Sequence, residues 1–191
     1  MTQPDEPTQV THRAPDLGLA VILVPVAVGA VVAIVLGVYG RLHEPTGIAV
    51  NVAGFSGPQS AKAWLTTLAF LLALVQLVSA LGMWGRLPGI ELAWMPVLHC
   101  WSGRVAVLLT VPVMMHCLYA LGFQSATPRV LIHSFLGCFF FGAFAAKMLL
   151  LTRRGLPGWA IPVIGGLVFT SLVGLWLTSS LWFFTTFGLT L

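Results

Sequence analysis

Residues 17–40 read LGLAVILVPVAVGAVVAIVLGVYG, a run without one Asp, Glu, Lys or Arg. A helix rises about 1.5 Å per residue, so roughly 20 residues cross a hydrocarbon core of about 30 Å, and this run is long enough. Its polar and apolar positions do not alternate as a half-buried strand requires. In lipid the backbone must satisfy its own polar groups within the segment, which a helix does. Four more stretches are equally free of charge: 63–85, 105–128, 130–146 and 155–191. The spacing predicts an all-α, polytopic transmembrane bundle of about five spans, at 17–40, 62–84, 97–121, 129–151 and 158–184. Turn chemistry separates them: Gly54-Phe55-Ser56-Gly57-Pro58, Leu87-Pro88-Gly89, Ser125-Ala126-Thr127-Pro128 and Gly155-Leu156-Pro157-Gly158. Pro25, Pro112 and Pro162 fall inside spans, where neighbouring helices re-satisfy freed backbone groups.

The composition of the whole chain agrees. Of 191 residues 58% are hydrophobic and 7% charged, against about 25% charged in ordinary soluble domains. A water-soluble enzyme is excluded because so few charges cannot cover its surface. Disorder is excluded because so much apolar surface is available to bury. Residues 1–16, rich in Pro, Thr and Gln, read as a disordered cytoplasmic tail, leaving 17–191 as one bundle domain. The first apolar run is too long, and its leader too acidic, for a cleaved signal peptide. The net charge of +4 is spread thinly, as charges flanking a membrane are, so no nucleic-acid partner is expected. With the N-terminus inside, Arg13, Arg86, Arg104, Lys147, Arg153 and Arg154 fall on the inner side and Arg41, Lys62 and Arg129 on the outer. That bias places the N-terminus inside and the C-terminus outside.

Gly29, Ala33 and Gly37 form a stripe of small residues that admits another backbone, and Gly165, Gly166 and Gly174 suggest the same in the last span. Trp84, Trp94, Trp101 and Trp159 gather at the inner boundary and Trp64 and Trp182 at the outer, as an aromatic belt with no further role.

Few residues offer chemistry. Outside the tail the only acids are Glu44 and Glu91, both in loops, so a proton relay built on intramembrane carboxylates lacks its parts. No phosphate-cradling glycine loop, His-Glu-x-x-His zinc site or serine nucleophile elbow is present. Cys100, Cys117 and Cys138 are odd in number and read as small hydrophobes. Met114-Met115-His116-Cys117 offers soft ligands for Cu(I), but four adjacent helical residues point in four directions. No catalytic residue is assigned.

The histidines are the informative residues. Ionisable side chains inside spans are costly and tend to face a bundle interior, and imidazole is a usual axial ligand of haem. His116 near the outer end of the third span and His133 near the outer start of the fourth sit at matched depth. They are the candidate iron ligands of one b-type haem. Arg129, one turn before His133, is a candidate propionate partner, and Gly137, one turn after it, leaves room for a flat macrocycle. Phe139, Phe140, Phe141 and Phe144 supply apolar walls. Contacting helices lie only about 8–10 Å apart, so the third and fourth spans must splay or sit diagonally to hold such a group. His99, a further candidate cofactor-binding residue, falls near the inner boundary with Gly103 one turn later; no second histidine is there to complete a pair, and Met83 or Met148 would have to substitute. The other reading is that these histidines form interhelical hydrogen bonds. His43 reads as a solvated loop residue.

His99-Cys100-Trp101-Ser102-Gly103-Arg104, with the apolar run to His116, resembles the His-x-x-x-Gly helices of small transmembrane haem-b cytochromes and ferric-reductase-like membrane domains; His133 to Gly137 repeats the pattern. Over nearly the full length, through Tyr39-Gly40-Arg41-Leu42-His43, Gly54-Phe55-Ser56-Gly57, Lys62-Ala63-Trp64-Leu65 and Ala145-Ala146-Lys147-Met148, the chain resembles a family of uncharacterised bacterial multi-pass membrane proteins. That likeness implies the bacterial cell membrane and supplies no site residues. The expected function is electron transfer through one haem b near the outer face, with a quinol or redox partner protein. The alternatives are a non-catalytic subunit or anchor of a membrane complex, and a permease for a small solute or metal.

Overall fold

The computed structural model describes residues 17–191 except 50, 52, 53, 88, 90 and 91. The expected disordered tail, residues 1–16, lies outside the described residues. Among the described residues there is no strand, and five helices are long and apolar enough to cross a membrane. They are α1 (Leu17–Leu42), α2 (Pro58–Met83), α3 (Met95–Leu121), α4 (Pro128–Leu151) and α5 (Ala160–Phe187). The chain is a multi-pass membrane protein.

Helix starts follow local backbone chemistry more closely than they follow charge. Proline, whose fixed φ suits the first helical turn, opens α2 at Pro58 and α4 at Pro128. Thr127 caps α4 by accepting from the Val130 amide at 3.3 Å. The second helix therefore begins four residues before the expected 62, which puts Lys62 in its second turn. The charge marks no boundary there, because the helix runs past it.

Two helices carry widened, π-type turns. One ends α3 at His116–Leu121, and the other interrupts α5 at Leu177–Leu181. Such turns add a residue to the helical circuit and rotate the side chains on either side of them relative to each other.

The interior is built from small side chains. Ala61, Ala63, Ala69, Ala73, Ala143 and Ala146 are buried, with Ser60, Thr66, Ser79 and Ser180 among them. Leu19, Val31, Ile34, Leu108 and Phe135 are exposed, facing outward as lipid-contacting residues do. α1 packs on α4, α4 on α5, α5 on α2, and α2 on α3. α1 meets α3 chiefly at the latter's widened last turn. α3 and α4 are not packed together, and they face each other across the bundle. The small-residue stripe of α1 finds its partner in α4. A Cβ on Gly29 would lie 2.5 Å from the carbonyl oxygen of Gly142, and a Cβ on Gly142 would lie 2.5 Å from that of Gly29. Only glycine permits this approach. In α5, Gly174 is pressed by Leu136, whereas Gly165 and Gly166 meet nothing within 4 Å, so the packing expected of that pair is not found.

Candidate functional site: a cavity between the third and fourth helices

The gap between α3 and α4 is a cavity of about 250 Å³ that all five helices line. It lies toward the end of the bundle where α2 and α4 begin and α1, α3 and α5 finish, here called the Arg129 end. Leu36 of α1, Met114 and Leu118 of α3, Phe140 and Phe141 of α4 and Leu172 of α5 make its walls apolar. Polar side chains join them: Gln59, Lys62 and Thr66 from α2, Gln124 from the α3–α4 loop, Arg129, His133 and Ser134 from α4, and Thr178 and Ser179 from α5.

His133 is tied to α5 through one ring nitrogen. Its Nδ1 lies 3.0 Å from Thr178 Oγ1, and that hydroxyl lies 2.7 Å from the Gly174 carbonyl. A hydroxyl has one proton; if Gly174 takes it, Thr178 accepts from Nδ1–H. Nε2 then keeps the lone pair and has no partner among the described residues. An imidazole so fixed at one nitrogen is oriented to use the other as a ligand or acceptor.

Arg129 is placed by the widened turn of α5. The Trp182 amide donates to Ser179 O and not to Thr178 O, its acceptor in a regular α-helix. Arg129 Nη1 donates to Thr178 O at 2.6 Å, and its guanidinium lies 3.8 Å over the Trp182 ring. Trp182, expected to serve only in an aromatic belt, is the platform for this cation.

His116 is not in the cavity wall. Met114, Cys117, Leu118 and Leu121 face the cavity from α3, and the ring of His116 lies off that face. Its Nε2 is buried without a partner, as is Ser180 Oγ in the other widened turn. The structure thus brings Arg129, His133 and Gly137 together and leaves His116 outside their cavity. Gly137 has only Leu175 Cδ2, at 3.9 Å, near the place of a Cβ, so the wall there is bare. Phe139 and Phe144, expected as walls, do not line this cavity, whereas Phe140 and Phe141 do. Among the described residues no three or more His, Cys, Asp or Glu side chains gather as a metal site.

His99 stands at the opposite end of the bundle. Its Nδ1 lies 2.9 Å from Ser79 Oγ, and Gln76 of α2 donates to its carbonyl and, at 2.7 Å, to Ser102 Oγ. Gly103 is filled by Gln76, whose Oε1 would sit 3.0 Å from a Cβ there, so that glycine serves helix packing and leaves no open slot. His43 is not simply solvated. It stacks between Tyr39 and Tyr119, with both ring separations 5.0 Å, and its Nε2 lies 3.1 Å from Tyr119 O.

Residues 21–191 match a family of unknown function, DUF6529. The chain belongs to that family. No curated protein and no solved structure matches it. Membership of a family without assigned activity agrees with the expectation drawn from the full-length likeness, and the site of this DUF6529 protein has to be read from its own residues.

Lys62, Thr178 and Trp182 are the site residues of the DUF6529 chain that sequence reasoning passed over. A signal existed for the first: Gln59, Lys62, Ala63 and Thr66 stand at i, i+3, i+4 and i+7, a polar-leaning stripe on an apolar helix. For Thr178 the run Thr178-Ser179-Ser180 is the only hint, since hydroxyls in a span usually bond their own helix.

Proposed function

We propose that the protein holds a b-type haem in the cavity between α3 and α4 and passes electrons through it, with His133 as an axial donor. One observation carries this reading: His133, in the wall of a cavity with both apolar and basic side chains, has Nδ1 bonded to Thr178, and its Nε2 has no partner among the described residues. Imidazole oriented in this way is the usual axial ligand of protein-held haem. Arg129 and Lys62 would neutralise propionates, and the bare wall at Gly137 with the rings of Phe140 and Phe141 suits a flat apolar group. When bound, haem supplies one-electron chemistry; the chain's own residues hold it, orient it and keep water from it. With His116 outside the wall, the support rests on a single imidazole and not on the pair. A quinol or a redox partner protein would exchange the electron.

A second reading is a non-catalytic subunit or anchor of a membrane complex. The hydrogen bonds His133–Thr178 and His99–Ser79, each joining two helices, favour it, because they account for both histidines as structural partners.

The deciding experiment is a reduced-minus-oxidised absorption spectrum of protein purified from haem-replete cells. Haem bands that vanish in His133→Ala support the first reading. A colourless preparation that co-purifies with a partner supports the second.

A further inference from the structure

We infer that the cavity binds an anionic amphiphile, its carboxylate or phosphate head held by Lys62 and Arg129 and its apolar body against the apolar part of the wall. This concerns the same cavity and the same two cations as the haem reading but does not require haem; the two occupants would compete for one site. Lys62 of α2 and Arg129 of α4 line the same cavity. Glu44, exposed after α1, is the only acid among the described residues, and it is not in the wall. Two half-buried cations therefore line one cavity without an acidic side chain beside them among the described residues, in surroundings that penalise an uncompensated charge.

Long basic side chains near the end of a span often reach for the interface. These two differ, because they line an internal cavity and Arg129 is already docked. Its Nη1 is bound to Thr178 O and its face is stacked on Trp182, which fixes the fork before any ligand arrives. Guanidinium and ammonium groups so placed form their strongest hydrogen bonds with carboxylate or phosphate oxygens. Gln59 and Gln124 add neutral donors in the same lining. Beneath them the wall is apolar, so the site as a whole matches a molecule with one charged end.

The test is thermal unfolding of the full chain, purified in a neutral maltoside detergent, during titration with dodecyl phosphate, inorganic phosphate or dodecyltrimethylammonium. Saturable stabilisation by dodecyl phosphate is expected, with little from inorganic phosphate and none from the cationic amphiphile. Lys62→Gln and Arg129→Gln should each weaken the response roughly tenfold, the scale of one charge-assisted hydrogen bond. If Arg129→Gln does not fold, Lys62→Gln decides alone. Equal stabilisation by inorganic phosphate would overturn the amphiphile, and an equal effect of the cationic probe or an undiminished response in Lys62→Gln would overturn the anion site. A colourless preparation that still responds as expected separates this inference from the haem reading, since only the latter then fails.

Discussion

Thr178 binds two residues of α4 with two different atoms: its hydroxyl lies 3.0 Å from His133 Nδ1, and its carbonyl accepts from Arg129 Nη1 at 2.6 Å. Both interactions come from one residue in the widened turn of α5, so the orientation of the imidazole and the position of the guanidinium are fixed together. Thr178→Val keeps the carbonyl but removes the hydroxyl, leaving Nδ1–H without an acceptor. The expected cost is about 1–3 kcal/mol of stability, that of an unsatisfied buried donor, and Thr178→Ser should restore most of it. Thermal unfolding of the three proteins in detergent checks the cost. Nitrogen NMR of labelled His133 checks the tautomer, which should show the proton on Nδ1.

The glycine contact between α1 and α4 predicts a contrast within one residue type. Gly29→Ala and Gly142→Ala each drive a methyl group against a backbone carbonyl, and each should lower stability by about 1–3 kcal/mol as overpacking does. Gly165→Ala and Gly166→Ala, with open space at the Cβ position, should not lower it. The unfolding midpoints of the four variants, measured side by side, decide.

His116 and His99 should respond in opposite directions to the same substitution. His116 Nε2 is buried without a partner, so His116→Leu removes a desolvated polar atom and should leave the unliganded fold as stable as before, or more so. His99→Leu breaks the bond to Ser79 across α2 and α3 and should cost about 1–3 kcal/mol. A loss of stability in His116→Leu equal to that in His99→Leu would show that His116 has a partner in the folded protein.

His43 ties the end of α1 to the end of α3 through its two stacked tyrosines. His43→Ala should cost about 1 kcal/mol, and His43→Phe, which keeps the stacking, should recover part of it. Proteolysis of the loop after α1 offers a second readout, with faster cleavage expected in His43→Ala.

The five spans were legible because the cost of placing a charge in hydrocarbon leaves gaps that composition alone reveals. The same rule misplaced the start of α2: Lys62 lies inside the helix because it faces a cavity and not lipid, and Pro58 sets the true beginning. Arg129, His133 and Gly137 were found together because they sit one turn apart on a regular helix. His116 was matched to His133 by depth alone, and depth says nothing of azimuth. The widened turn that begins at His116 adds a rotation that no count of 3.6 residues per turn anticipates. The role of Thr178 was hidden for a related reason, since the Trp182 amide bonds Ser179 O in place of Thr178 O where α5 departs from α-helical register.

The burial pattern carries a last consequence for how variation in this protein should be read. Apart from buried Phe140, Leu150, Leu172 and Leu175, many leucines and valines coat the outside, where any greasy side chain of similar bulk serves a fluid neighbour equally well. Buried alanine and serine and the Gly29–Gly142 pair hold the helices at their spacing, and at that pair an added carbon has to displace a backbone. Among homologous chains, drift should therefore concentrate in the exposed large residues, while Gly29, Gly142 and the buried alanines stay put.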